Sequence, residues 1–221
     1  MTERRVRNRG LEAEERYVLR NQLMPDRLWG EECDAYNVQL WPDDRVLRDL
    51  ERIQGDLLQL EPDLLACPPH SLHLSVLPLL AVRTEYDLDK AQIWSAEGAR
   101  WLRGIAAIVR ESHAFTIRFD RLVATRSAVI ALAARADHVI ALREELAHNL
   151  DLPASSVDQV PSIAHVTLFR YKRPLIDPRR FLAAVSTARA TCTWAVREVC
   201  VTRELVYPSI EVEVLLRSAL A

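Results

Sequence analysis

Residues 162–171 read SIAHVTLFRY, and residues 71–79 read SLHLSVLPL. Each is short and rich in aliphatic and β-branched side chains, and proline precedes each (Pro161, Pro69). That is the pattern of a strand between turns. In a strand, residues i and i+2 project from the same face. His165 and Thr167 therefore stand side by side, with Val166 and Leu168 turned the other way toward a core. His73 and Ser75 repeat the arrangement 92 residues earlier, backed by Leu74 and Val76.

The surroundings of the two strands are also alike. Ahead of the first, Ala35 to Trp41 (AYNVQLW) has a β-rich composition. Pro42-Asp43-Asp44 then caps a helix in which Val46, Leu47, Leu50, Ile53, Leu57, Leu58 and Leu60 recur at helical spacing. Behind it, Asp87 to Glu111 reads as a long helix with Ile93, Trp94, Trp101, Leu102, Ile105 and Ile108 on its inner face. The second half opens with a strand in which Phe115, Ile117 and Phe119 alternate with Thr116 and Arg118. A buried strand (Ser127 to Ala134), a helix (Asp137 to Leu150), the His165 strand and a helix (Pro178 to Arg189) follow. Thr193 to Leu205 and Ser209 to Leu216 read as closing strands about a turn at Tyr207-Pro208. This order predicts an α+β fold with largely antiparallel sheet, in two halves that each carry a helix and then a histidine strand. Residues 1–34 read as a charged, solvated N-terminal arm, with a short helix over Leu11 to Gln22 as the alternative, and residues 35–221 as the globular body.

Of the 221 residues, 49% are hydrophobic and 27% charged, which are globular proportions with enough apolar material for a sizeable core. A net charge of −2 excludes a polybasic coat whose affinity rests on counterion release from long nucleic acid, and no DNA duplex is an expected partner. Among 29 basic residues only Lys90 and Lys172 are lysines, which favours forked recognition of a small anion. Arg4, Arg5, Arg7 and Arg9 are followed by no apolar region, so no secretory leader is expected, and no apolar run suits a membrane span. Cys33, Cys67, Cys192 and Cys200 are widely spaced and read as reduced thiols of a cytoplasmic protein. With five glycines the chain has neither a dinucleotide fingerprint nor a phosphate-cradling Walker loop, and both G-x-S-x-G and H-E-x-x-H are missing. His70 and His73 form H-x-x-H without a further ligand at a useful spacing, so neither a metal nor a cofactor is expected.

Two imidazoles facing each other across a cleft can carry phosphoester chemistry. One takes a proton from the attacking oxygen and the other gives a proton to the departing one. Histidine titrates near neutrality, so both roles are accessible. Ser75 and Thr167 supply donors for charge developing on the phosphoryl oxygens.

H-x-(S/T) followed by an apolar residue, twice and about 90 residues apart, resembles the two-histidine (2H) phosphoesterase superfamily, and within it the bacterial 2'-5' RNA ligase-like proteins that act as RNA 2',3'-cyclic phosphodiesterases. YNVQLWPDD from Tyr36, HLSVL from His73, FTIRFDRL from Phe115, AVIALAA from Ala128 and HVTLFR from His165 carry the likeness. The resemblance implies two pseudo-symmetric lobes of mainly antiparallel sheet with outer helices and an active cleft between them. It implies His73 and His165 as the catalytic pair and Ser75 and Thr167 as phosphate-binding hydroxyls. The implied activity is metal-independent hydrolysis of a 2',3'-cyclic phosphate to a 2'-phosphate, with 2'-5' RNA ligation as a minor reaction. The expected partner is an RNA with a cyclic phosphate end or a small cyclic nucleotide, bound by a monomer. The first motif departs from the family in having Ser75, followed by Val76-Leu77-Pro78. Two alternatives share the cleft: a nucleotide or RNA-end binding module without turnover, and a 2H phosphoesterase for another small cyclic phosphate such as an ADP-ribose derivative.

Further substrate contacts are sought around the motifs. Arg170 and Lys172 follow the second histidine closely, although regular alternation places Arg170 off the His165 face. Tyr36, Trp41 and Tyr171 are candidate stacking platforms for a base.

Overall fold

The computed structural model describes residues 13–188 and 192–221. The basic cluster at Arg4 to Arg9 and the expected helix end at Arg189 lie outside them. The described residues form one nine-stranded sheet. Its strands are β1 (Glu32–Leu40), β2 (Leu64–Ala66), β3 (Leu74–Leu80), β4 (Phe115–Ala124), β5 (Ala128–Arg135), β6 (His165–Tyr171), β7 (Thr193–Val196), β8 (Glu198–Val206) and β9 (Glu211–Ala219). The order across the sheet is β7-β4-β5-β6-β3-β1-β8-β9, with β2 added beside β6. Every pairing is antiparallel.

The helices are α1 (13–19), α2 (Asp44–Leu58), α3 (Lys90–Glu111), α4 (Asp137–Asn149), α5 (Ala154–Val157) and α6 (Pro178–Thr187). Asp43 starts α2 as an N-cap, its carboxylate accepting the Val46 N–H at 2.9 Å. Such a cap contributes about 1 kcal/mol. Val46, Leu50, Ile53 and Leu57 form the buried stripe of α2, and Asp89 caps α3 through the Ala91 N–H.

The sheet order is two four-strand arrays meeting at β3 and β6. Each array takes its inner strands from a run of the same outline: β1-α2-β3-α3 in the first, with β2 inserted after α2, and β5-α4-β6-α6 in the second, with α5 inserted after α4. Helix α2 packs against β6, whereas α4 packs against β3, so each unit covers the other unit's histidine strand. The two lobes expected from the sequence are thus halves of one continuous sheet. The sheet curls: Ala221 beyond β9 exchanges backbone hydrogen bonds with Ser112 and Ala114 ahead of β4.

Three local expectations differ. The run Thr193 to Leu205 is two strands, not one. It breaks at Arg197, β7 pairing with β4 and β8 with β1, because the chain there passes from one array to the other. The proline-rich loop after α2 holds β2, paired to the end of β6. The arm read as solvated is docked from residue 13 onward. Val18 is fully buried, Asn21 exchanges two side-chain hydrogen bonds with the Leu175 backbone, and Met24, Asp26 and Gly30 donate to Arg126, Tyr171 and Tyr207 carbonyls. Among the described residues no helix is long and apolar enough to cross a membrane.

Candidate active site

β3 and β6 touch at one register point, Leu74 opposite Val166. In an antiparallel pair this sets His73 opposite Thr167 and Ser75 opposite His165, with facing Cα atoms roughly 5 Å apart. Leu74, Val76, Val166 and Leu168 are fully buried. His73, Ser75, His165 and Thr167 turn to the other face, and all four line one cleft of about 190 Å³. Beyond the contact point β2 replaces β3 beside β6.

The two imidazoles are held differently. His73 Nδ1–H donates to the Ser71 carbonyl at 2.8 Å. That bond fixes the tautomer and leaves Nε2 as the free nitrogen. His165 Nδ1 is buried without a hydrogen bond, although the Ile163 carbonyl lies near enough to favour its proton. Burial pushes the His165 pKa down to about 4, helped by the charges of Arg170 and Arg143 and by His73. Burial also lowers His73, against the pull of the Ser71 carbonyl and with help from Arg170. Both rings are therefore neutral at neutral pH.

Arg170 also lines the cleft, contrary to the alternation argument. Between Phe169 and Thr167 the pairing with β5 shifts register, which makes Leu168 an extra residue in β6. This β-bulge reverses the alternation beyond it, and Arg170 returns to the face of His165 and Thr167. Its Nε lies 3.6 Å from Asp26 Oδ2 and makes no hydrogen bond.

The other candidate contacts are not brought to the cleft. Tyr36 is buried and stacks on Trp94 with ring centroids 4.1 Å apart. A Cβ at Gly98 would fall 2.6 Å from the Trp94 ring, so a glycine is needed for that indole to lie on α3. Trp41 donates to Gln39 and lies under Arg217. Tyr171 is fully buried in the core. Lys172 follows the end of β6 and is exposed. Apolar burial accounts for the placement of the Tyr36 and Tyr171 rings, and Trp41 is half-buried between Gln39 and Arg217.

Several lining groups carry no local sequence signal. Glu204 of β8 is buried beside the cleft and accepts from Asn37 of β1 at 3.3 Å and from the Ser209 N–H at 2.9 Å. Burial raises its carboxyl above the usual range, against the Ser209 bonds and the charges of Arg170 and Lys90. Tyr207 closes the same side. Behind the cleft, Arg143 of α4 is buried and donates through Nε to Val76 O at 2.9 Å and through a terminal nitrogen to Ser75 O at 2.6 Å. Gln54 of α2 does the same for the other strand, donating to Leu168 O and Cys67 O at 2.9 Å. Among the described residues no three His, Cys, Asp or Glu side chains are grouped to hold a metal.

The arrangement offers two neutral imidazoles, two hydroxyls and one guanidinium around a small polar cleft, which suits an anionic ester and proton transfer on either side of it. Comparisons with known proteins give the fold and the family. TT0787 of Thermus thermophilus shares the fold with a TM-score of 0.62 at 20% identity, covering 84% of this chain and 97% of that one. LigT of E. coli, in its complex with ATP, gives a TM-score of 0.55 at 17% identity, covering 86% and 99%. The Agrobacterium tumefaciens protein ATU0111 gives 0.62 at 14%, covering 93% and 96%. No curated protein sequence matches significantly. The 2'-5' RNA ligase superfamily model matches residues 42–207, which span both histidine strands and most of the sheet, and the chain belongs to that superfamily of two-histidine phosphoesterases.

Proposed function

We propose that the protein is a cyclic phosphodiesterase that opens a 2',3'-cyclic phosphate on an RNA end or a nucleotide and leaves a 2'-phosphate. The observation that carries this reading is the Leu74–Val166 register, which gathers His73, Ser75, His165 and Thr167 on one wall of a cleft. One imidazole removes a proton from water as it attacks phosphorus. The bond to the 3'-oxygen breaks, and the other imidazole protonates that oxygen. Ser75, Thr167 and Arg170 stabilise the charge that builds on the non-bridging oxygens. Structures of LigT with phosphate and with 3'-AMP support a nucleotide phosphate as the ligand class.

The test is an assay in EDTA with nucleoside 2',3'-cyclic phosphates and a short RNA bearing a cyclic end, resolving 2'- from 3'-monophosphate. Turnover is expected without added metal. His73→Ala and His165→Ala should each lower kcat by roughly 10²–10⁴ with folding retained. Productive free enzyme holds one proton on the pair. Because both pKa values are lowered, that state is most populated on the acid side of pH 6.5, and the kcat/KM profile should peak there. Equal activity in both variants and wild type defeats the proposal.

A further inference from the structure

Asp26 stands where the segment ahead of β1 meets the cleft. Its N–H donates to the Tyr171 carbonyl at 2.9 Å, which fastens it one residue beyond Arg170. Its side chain is only 3% exposed, and its two oxygens face different arginines. Oδ1 accepts from Arg83 at 2.9 Å and from the Leu28 N–H at 3.2 Å. Oδ2 lies 3.6 Å from Arg170 Nε, an ion pair in which both atoms are buried and neither is hydrogen-bonded. Arg83 is 54% exposed and reaches across to the Tyr207 hydroxyl at 3.3 Å, on the rim of the same cleft. Arg170 itself is 21% exposed.

Two accounts of this carboxylate give opposite signs. If Asp26 only subtracts positive charge from the cleft, removing it strengthens the hold on an anion. If Asp26 fixes the guanidinium, removing it frees a long side chain to sample other rotamers, and the hold weakens. The packing favours the second. Asp26 is buried, tied through its own backbone to β6 and braced by a second arginine, whereas a screening charge needs none of these.

We infer that Asp26 is a positioning residue, a carboxylate from the N-terminal segment that holds the Arg170 guanidinium at the phosphate seat, with Arg83 as its outer brace. The inference rests on the phosphoesterase reading of the cleft. It gives a role to a residue ahead of the stretch 42–207 that the family model matches.

The experiment uses the full chain and inorganic phosphate as probe. Phosphate affinity and the ring-proton titrations of His73 and His165 are followed by NMR in wild type, Asp26→Asn, Arg170→Met and the double variant. Asp26→Asn is expected to weaken phosphate binding roughly tenfold and to move both imidazole titrations upward, since Arg170 lowers both in the native protein. In the Arg170→Met background the same change should alter affinity by less than about twofold. Tighter binding with titrations moving down is the plain charge effect and overturns the inference. So does a tenfold loss that persists without Arg170, the mark of general damage to packing. Should Asp26→Asn not fold, Arg83→Met loosens the same carboxylate and must show a smaller loss that vanishes in the Arg170→Met background. None of these readouts depends on turnover: a wild type that hydrolyses no cyclic phosphate defeats the functional proposal, and the imidazole titrations still decide this one.

Discussion

In β3 the strand bulges at Val76, one residue past Ser75; in β6 it bulges at Leu168, one residue past Thr167. The imidazole ahead of each hydroxyl lies near the carbonyl two residues before it, Ser71 in one case and Ile163 in the other. Behind each bulge a buried side chain from the opposite unit's helix donates to the carbonyl, Arg143 to Val76 and Gln54 to Leu168. The two strands are copies in backbone, yet they differ in charge. Arg143 is a cation where Gln54 is neutral, and past the bulge β6 presents Arg170 where the matching position of β3 is Pro78. His165 feels both arginines, and His73 feels Arg170 alone. A symmetric backbone thus gives two identical groups unequal electrostatic surroundings, the condition under which the proposed reaction would assign one ring as base and the other as acid.

The largest effect on this comparison is expected from Arg170→Met. It removes the one guanidinium that the bulge in β6 sends into the cleft, and losing such a donor should lower kcat roughly 10²- to 10³-fold. It also lifts a depressing charge from both imidazoles. The pH optimum should therefore move upward, measured as the kcat/KM profile on a 2',3'-cyclic nucleotide. A large loss of rate with an unmoved optimum would show that Arg170 binds substrate without setting the proton states.

That bulge also marks the limit of what the sequence discloses. Period-two alternation and proline punctuation are local, so the two histidine strands, their hydroxyl neighbours and the helices around them can be read directly. A bulge is one extra residue fixed by pairing with β5, and nothing in HVTLFR announces it; simple alternation therefore sends Arg170 to the wrong face. Glu204 meets Asn37 only because β8 pairs with β1, a contact between residues far apart in the chain. The same non-local pairing splits β7 from β8 within a stretch that reads as one strand. Asp26 sits in a segment whose charge density suggests solvent, yet the end of β6 buries it. Tyr36, Trp41 and Tyr171 have the right chemistry for stacking, yet the core takes the two tyrosines, and Trp41 pairs with Gln39 and Arg217.

A smaller effect on activity, but a clear one on stability, is expected from exchanging the two buried supports. Arg143→Met strips donors from Ser75 O and Val76 O and should destabilise the fold by roughly 3 kcal/mol, read from a urea transition. It should also raise the His165 titration and leave His73 in place, because Arg143 lowers His165 whereas the arginine that lowers His73 is Arg170. Gln54→Met removes a neutral donor and should destabilise by roughly 2 kcal/mol while moving neither titration. Wild-type stability supplies the reference slope. A His165 pKa lowered from 6.5 to about 4 means the unfolded chain binds the extra proton first, so stability is lost as pH falls through that window. Arg143→Met should flatten that slope and Gln54→Met should preserve it. Equal slopes in both variants would show that the charge difference behind the strands is electrostatically silent.

The smallest effect is expected from making the hydroxyls trade places. Ser75 and Thr167 are both half-buried on the cleft wall, each opposite the other strand's histidine. If phosphate sees only an Oγ at each position, Ser75→Thr and Thr167→Ser should each change kcat/KM by less than about fivefold, since threonine suits a strand and the methyl is a modest volume change. The double exchange should then be close to the product of the single effects, because neither substitution removes a donor. A loss well beyond tenfold in Ser75→Thr alone would place a close neighbour against the added methyl. Arg143 is the group to suspect, because it donates to the Ser75 carbonyl itself, whereas Gln54 donates to Leu168 O and Cys67 O and not to Thr167. The asymmetry would then be one of shape as well as charge, and the serine of the first motif would be the residue that accommodates it.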